Sequence, residues 1–108
     1  MVRLLGTLLR MDGYDVTAVD GDADLTAVVE RVAPDALVLD MVLGEQNGLE
    51  LVERVRRSKA GQHLYILMMS GLSVGEDCLR RGADDFLLKP FMPEDIMNLL
   101  HAHIPAAT

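Results

Sequence analysis

The sequence predicts an α/β fold in which helices cover both faces of a parallel β-sheet. The first observation is an alternation, along the 108 residues, of short apolar runs with segments whose apolar residues recur at helical spacing. The second is that residues 36–39 (ALVL) and 65–69 (YILMM) are continuously apolar, as in strands that are covered on both sides. Because crossovers between parallel strands are right-handed, the C-terminal ends of the strands should share one edge.

The N-terminal third contains the least regular part of this pattern, because the chain opens on a helix and not on a strand. Leucines at helical spacing predict an amphipathic helix over residues 2–11, which Gly13 ends. The β-branched segment 15–19 (DVTAV) predicts a strand. Asp22 or Asp24 then caps a second helix. The apolar face of this helix consists of Leu25, Val28, Val29 and Val32.

The remaining elements follow in the same alternation. The strand at 36–39 leads through a glycine-containing loop into a helix whose apolar positions are Leu51, Val52 and Val55. The strand at 65–69 precedes a weakly patterned helix over about 74–81. A short strand at 86–88 precedes the last helix, which Pro93 starts. Its apolar face consists of Ile96, Met97, Leu99, Leu100 and Ile104.

Composition restricts the classes of partner. Ten Lys and Arg residues stand against 17 Asp and Glu, a net charge of −7, which disfavours nucleic acid and anionic membranes as partners. Cys78 is the single cysteine and cannot form an internal disulfide, which is typical of a reducing compartment. No apolar run reaches the roughly 18 residues of a membrane span. We therefore expect residues 1–108 to form one cytoplasmic domain without an output domain.

Polar residues end three of the predicted strands: Asp40, Ser70 and Lys89. In an open α/β sheet, ligands bind beyond the carboxyl ends of the strands, so these side chains should converge. A carboxylate could act as nucleophile toward phosphorus, an ammonium group could pair with phosphate oxygens, and a hydroxyl could donate to another oxygen. Each residue taken alone could be an ordinary turn or cap residue, but the set of three favours a phosphoryl-transfer site.

Three segments resemble the receiver domains of response regulators in two-component signalling. Residues 34–43 (PDALVLDMVL), continued by 47–51 (NGLEL), are similar to the phosphoacceptor region. Residues 68–71 (MMSG) resemble the strand that carries the hydroxyl, and 82–91 (GADDFLLKPF) resemble the last strand with its Lys-Pro. The resemblance covers the whole chain and implies a flavodoxin-like (CheY-like) doubly wound sheet, N-terminally truncated to about four strands and five helices.

The resemblance implies a role for each site residue. Asp40 would accept a phosphoryl group from a histidine kinase or phosphotransfer protein, and Asp40 with the backbone carbonyl of Val42 would bind Mg²⁺. Ser70 and Lys89 would contact the phosphoryl group. Such a domain is a signalling phosphoacceptor and not an enzyme, with at most weak autophosphatase activity.

The resemblance also implies how the signal leaves the site. Phe86 would be an aromatic switch that turns inward when Ser70 moves toward the phosphate. The Lys89–Pro90 peptide bond would be cis. An output protein would recognise the face made by the fourth helix, the last strand and the fifth helix.

The sequence departs from the family at its N-terminus. Val2 and Arg3 match the start of the family's first helix, which places the first strand and its Mg²⁺-binding acidic pair before Met1. With Asp40 as the only obvious carboxylate ligand, we expect a weakened Mg²⁺ site and slow or absent phosphorylation. The alternative function is therefore a receiver-like, phosphorylation-deficient module for interaction or oligomerisation.

The missing strand would be a central one, between 15–19 and 36–39. Either these flanking strands close up, or another chain fills the slot by oligomerisation or strand swapping, or the segment 15–19 is displaced. A small α/β enzyme that uses Asp40 and Lys89 is disfavoured, because no base, oxyanion site or cofactor motif accompanies them.

Overall fold

The computed structural model describes residues 2–19, 24–40, 42–43, 46–71 and 75–104. The chain divides into two compact units, residues 1–18 with 91–108 and residues 19–90. The helices are α1 (Val2–Met11), α2 (Leu25–Val32), α3 (Gly48–Arg57), α4 (Gly75–Arg80) and α5 (Pro93–His103). The strands are β1 (Ala36–Asp40), β2 (Val42–Leu43), β3 (Gln46–Asn47), β4 (Tyr65–Ser70) and β5 (Asp85–Leu88).

The main sheet has three parallel strands in the order β1-β4-β5. All six residues of β4 are buried, because this strand has a neighbour on each side and apolar side chains on both faces. The strands β2 and β3 form a separate antiparallel pair directly after β1, which sequence patterning did not predict. The core cluster consists of Leu25, Val29, Leu39, Leu51, Val52, Val55, Leu64, Ile66, Met68, Cys78 and Ala83.

Several helix ends lie where the sequence predicts them. Gly13 follows α1 with a φ of 92°, a left-handed conformation that glycine adopts without steric cost. Asp24 caps α2 by accepting a hydrogen bond from the backbone N–H of Ala27 at 3.3 Å. Pro93 is the first residue of α5, directly after Met92. These three predictions of helix boundaries are confirmed.

The predicted strand at 15–19 is wrong. Residues 14–19 are described and form no strand, so the main sheet has three strands and not four. A β-branched segment becomes a strand only when a neighbouring strand takes up its backbone groups. Here the guanidinium of Arg10 donates to the backbone carbonyl of Val16 at 3.3 Å. The flanking strands therefore do not close up, and among the described residues β1 is an edge strand.

Within the first unit, contacts of Tyr14 and His101 join the end of α1 to α5. The Tyr14 hydroxyl donates to the backbone carbonyl of Ile104 at 2.6 Å, and its ring stacks on that of His101 with centroids 5.8 Å apart. Nε2 of His101 lies 2.8 Å from Oδ2 of Asp12. Burial, followed by the nearby Asp12 carboxylate, raises the pKa of Tyr14.

Within the second unit, Arg56 of α3 links the helix to the segments that precede β4 and β5. Its side chain is 20% exposed, and its guanidinium donates to four backbone carbonyls and one carboxylate. The acceptors are Gly61 O at 3.0 Å, Gln62 O at 3.5 Å, Leu64 O at 2.5 Å, Gly82 O at 2.7 Å and Asp84 Oδ2 at 2.6 Å. Planar guanidinium donors suit such a set of convergent acceptors.

The acidic residues before and in β5 complete this network. Oδ2 of Asp84 also accepts from the backbone N–H of Ile66 at 2.8 Å, and Oδ2 of Asp85 accepts from the hydroxyl of Tyr65 at 2.7 Å. Burial and this hydrogen bond raise the pKa of Tyr65 far above its ordinary value. The N-terminal ends of β4 and β5 are thus fixed to each other and to α3. In the part of the chain that the structure describes, no helix is long and apolar enough to cross a membrane.

Candidate functional site

The candidate site lies at the carboxyl edge of the parallel sheet. Asp40 is the last residue of β1 and Lys89 follows the last residue of β5, so the parallel arrangement places both at this edge. Nζ of Lys89 lies 2.6 Å from Oδ2 of Asp40. The Asp40 side chain is 32% exposed and that of Lys89 is 38% exposed, so solvent and a small ligand can reach the pair. At this distance the contact is a charge-assisted hydrogen bond.

Ser70 ends β4, the strand that separates β1 from β5. Asp40 pairs with Met69 in the register of the sheet, and Ser70 pairs with Leu88. The backbone N–H of Lys89 donates to the carbonyl of Ser70 at 2.8 Å, which fixes the chain as it leaves β5. Ser70 is 2% exposed and is thus a buried polar residue. The three residues singled out from the sequence therefore occupy the ends of three adjacent strands.

Two further residues named from the sequence flank this edge. The Lys89–Pro90 peptide bond is cis. Val42 belongs to β2, two residues after Asp40, and pairs with Asn47 of β3. The antiparallel pair β2-β3 therefore starts two residues after Asp40 in the sequence.

The donor set for a metal at this edge is small. The described residues contain no group of three or more His, Cys, Asp or Glu side chains that could hold an ion. Asp40 supplies a carboxylate and Val42 a backbone carbonyl, both oxygen donors of the kind that Mg²⁺ prefers. Mg²⁺ commonly binds one or two carboxylates and completes its shell with phosphate oxygens and water. These two oxygen donors fit an ion whose remaining ligands are phosphate oxygens and water.

Phe86 of β5 and Gly75 of α4 lie next to each other. Phe86 is in β5, is partly buried, and packs against the core cluster. Sequence reasoning missed Gly75, the first residue of α4, which adjoins the Phe86 ring. The only signal in the sequence was a glycine inside a helical pattern, which frequently has a packing reason.

Comparisons with known proteins agree on one family. The family model described as "Response regulator receiver domain" matches residues 1–101. MtrA of Mycobacterium tuberculosis, named as a DNA-binding response regulator, is 33% identical over 108 residues, which is 96% of this chain and 46% of MtrA. TrcR of the same organism, a transcriptional regulatory protein, is 32% identical over 101 residues, 93% of this chain and 39% of TrcR. The chain thus spans less than half the length of these curated relatives.

Solved structures show the same fold. The receiver domain of the sensor histidine kinase PA1611 from Pseudomonas aeruginosa, which has a magnesium ion coordinated in its active-site cleft, is 28% identical with a TM-score of 0.81. That match covers 97% of this chain and 88% of the other. The chemotaxis response regulator CheY4 of Vibrio cholerae is 26% identical with a TM-score of 0.82, covering 94% of this chain and 88% of the other. The predicted CheY-like, flavodoxin-like class is confirmed.

The relatives confirm the resemblance to receiver domains and correct the expectation, drawn from the net charge, about nucleic acid. The expectation that nucleic acid is not a partner does not hold for the longer relative MtrA, which is named as DNA-binding. This chain matches 46% of MtrA. The family match covers nearly the whole sequence, and the sheet carries the expected polar residues at its strand ends. The chain belongs to the response regulator receiver domains, the signalling domains of two-component systems.

Proposed function

We propose that Asp40 is a phosphoacceptor, phosphorylated by a histidine kinase or a phosphotransfer protein. The observation that carries the proposal is the 2.6 Å contact between Asp40 and Lys89 at the carboxyl edge of the sheet. A carboxylate there is accessible, and a fixed cation lies beside the place where phosphoryl oxygens would arrive. Among the described residues, Asp40 is the carboxylate that the Lys89 ammonium contacts, so the charge of Lys89 is directed to Asp40 and to whatever Asp40 carries.

The transfer step needs only groups that the partner and this site supply. An oxygen of Asp40 attacks the phosphorus of a phosphohistidine, a P–O bond forms, and the P–N bond breaks. The imidazole of the partner leaves and takes up a proton, while Asp40 becomes an acyl phosphate. The ammonium group of Lys89 then pairs with a phosphoryl oxygen, and the Ser70 hydroxyl donates to another.

A divalent cation would assist this step from the same edge. Mg²⁺ would neutralise the negative charge on the transferred oxygens, and Asp40 with the carbonyl of Val42 would hold it. Because the described residues offer no cluster of metal-binding side chains, we propose that Mg²⁺ binds weakly before the phosphate arrives. Phosphorylation should then need a higher Mg²⁺ concentration than in receivers that hold the ion with an acidic pair.

The output of the switch would be a change at α4 and β5. These elements expose two large apolar side chains, Leu79 at 49% and Leu88 at 47%. Exposed apolar residues on neighbouring elements are typical of a protein-interaction surface. Phosphoryl contacts at Ser70 would be transmitted along β4 and β5 to this surface, where an output protein would bind.

We further propose that residues 1–108 act as one receiver domain in the cytoplasm, with the output function on other residues or another protein. The partly exposed Asp40 would let water hydrolyse the acyl phosphate slowly, which is the extent of any autophosphatase activity. No nucleic-acid contact is proposed for these residues, whose net charge is −7.

Intact-mass measurement tests the phosphoacceptor. The chain is incubated with a small acyl-phosphate donor over a series of Mg²⁺ concentrations, beside the variants Asp40→Ala and Asp35→Ala. We expect a mass increase of one phosphoryl group in the wild type and in Asp35→Ala, whose aspartate is exposed and precedes β1, and none in Asp40→Ala. An adduct that persists in Asp40→Ala, or none in any sample at saturating Mg²⁺, would contradict the proposal.

The edge of β1 favours a second candidate function. No described strand pairs with the outer edge of β1, and its residues Leu37 and Val38 are partly exposed. Such an edge is a template for strand addition from another chain. A receiver-like module that takes no phosphate would then work through homo-oligomerisation or strand swapping. Light scattering over a dilution series decides: a dimer supports this candidate, and a monomer at every concentration excludes it.

A further inference from the structure

The first residue of α4 leaves no room for a side chain. A Cβ built on Gly75 would lie 2.9 Å from Cδ2 of Phe86, closer than real Cβ atoms approach other atoms, and 3.4 Å from its Cγ. Gly71 is a suitable control, because a Cβ there would meet nothing within 4 Å. The ring of Phe86 therefore occupies the space that a side chain at position 75 would need.

Backbone conformation does not account for this glycine. Gly75 has no left-handed φ, in contrast to Gly13 and Gly82, so an L-residue fits its backbone. Glycine in a helix is less stable than alanine, because it loses more conformational freedom on folding. Contact with the ring is what explains a glycine at this position.

We propose that Gly75 is a positioning residue for the switch. Because Gly75 has no side chain, the Phe86 ring can pack against the first turn of α4, in a space that we call the seat. The inference deepens the proposed function, on which it rests for the role of Phe86. Phe86 pairs with Met68 in the sheet register, and Leu88 pairs with Ser70, so the ring and the site hydroxyl lie on adjacent strands. A ring that leaves the seat frees the start of α4, and a displaced α4 frees the ring. The seat thus couples the site to the surface formed by α4 and β5.

The sign of the change in melting temperature on replacing Gly75 tests whether the Phe86 ring occupies the seat. A Gly→Ala change in a helix without steric conflict raises the melting temperature. We expect Gly75→Ala to lower it by about 4 °C in the wild-type background and to raise it in a Phe86→Ala background, where the ring is absent. Gly71→Ala, as the control, should give the same small effect in both backgrounds. A rise in both backgrounds with Gly75→Ala would overturn the proposal.

Nuclear magnetic resonance of the ring protons gives a second readout, which remains decisive if the double variant does not fold. The chain has two phenylalanines, so the signals of Phe86 and Phe91 can be assigned by substitution. Without any phosphodonor, Gly75→Ala should shift the Phe86 ring signals, while Phe91 and the Gly71→Ala control stay unchanged. Unchanged Phe86 signals would overturn the seat.

Different results would contradict the phosphoacceptor role of Asp40 and the positioning role of Gly75. If Gly75→Ala moves the ring but the wild type takes no phosphoryl group, the seat stands and the phosphoacceptor role does not. If the wild type is phosphorylated, the Phe86 signals should shift on phosphorylation and shift less in Gly75→Ala, where the ring has already left the seat. An equal shift in both proteins would contradict the coupling.

Discussion

Replacing Arg56 with alanine is expected to lower the free energy of unfolding by about 3 kcal/mol. The guanidinium donates to the carbonyls of Gly61, Leu64 and Gly82 and to the carboxylate of Asp84. Hydrogen bonds from a charged donor contribute more than neutral ones, and removal of the donor leaves partly buried carbonyls without this partner. The loss should loosen the segments that lead into β4 and β5, and with them the strands that carry Ser70 and Lys89.

Urea unfolding followed by circular dichroism measures this effect. The matched control is Arg57→Ala, because Arg57 is the next residue of α3 and is exposed. We expect Arg57→Ala to change the stability by less than about 0.5 kcal/mol. Equal effects for the two arginines would show that the contacts of Arg56 do not stabilise the fold as described.

Replacing Lys89 with alanine is expected to slow phosphoryl uptake at Asp40 by about 100-fold. The ammonium group lies 2.6 Å from the Asp40 carboxylate, where it can stabilise the charge that develops on the transferred phosphoryl oxygens. The folded state should change little, because an ion pair of which each side chain is about one-third exposed contributes under about 1 kcal/mol. The variant therefore separates the chemistry from the fold.

The initial rate of adduct formation, measured with an acyl-phosphate donor at fixed Mg²⁺, checks this expectation. Lys59→Ala is the control, since Lys59 is the other lysine of the chain and is exposed. We expect the control to react at the wild-type rate. A Lys89→Ala protein that reacts within about threefold of the wild type, well short of the loss expected for a removed charge partner, would remove Lys89 from the mechanism.

The parts of the fold that could be predicted from sequence are those that local patterns determine. The apolar runs at 36–39, 65–69 and 86–88 became β1, β4 and β5, with ends shifted by no more than one residue. Asp24 and Pro93 mark helix starts through the side-chain and ring chemistry of the residue itself. The convergence of the site followed from the parallel connection of strands, which places their C-terminal ends together.

The parts that could not be predicted depend on residues far away in the sequence. The segment 15–19 has the composition of a strand, but whether it forms one depends on a neighbour that local composition does not reveal. Arg56 resembles an ordinary basic residue at a helix end, and its acceptors come from two later segments, residues 61–64 and 82–84. Gly75 similarly gains its meaning from Phe86, on the strand after α4.

Location of the phosphoryl group tests the central claim most directly. An acyl phosphate is reduced by borohydride to an alcohol, so a phosphorylated aspartate is converted to homoserine and can be located by peptide mass spectrometry. We expect homoserine at position 40 after incubation with the donor and Mg²⁺, and unmodified aspartate at Asp35 and Asp84. Homoserine at another aspartate, or none in a sample whose intact mass shows the adduct, would contradict it.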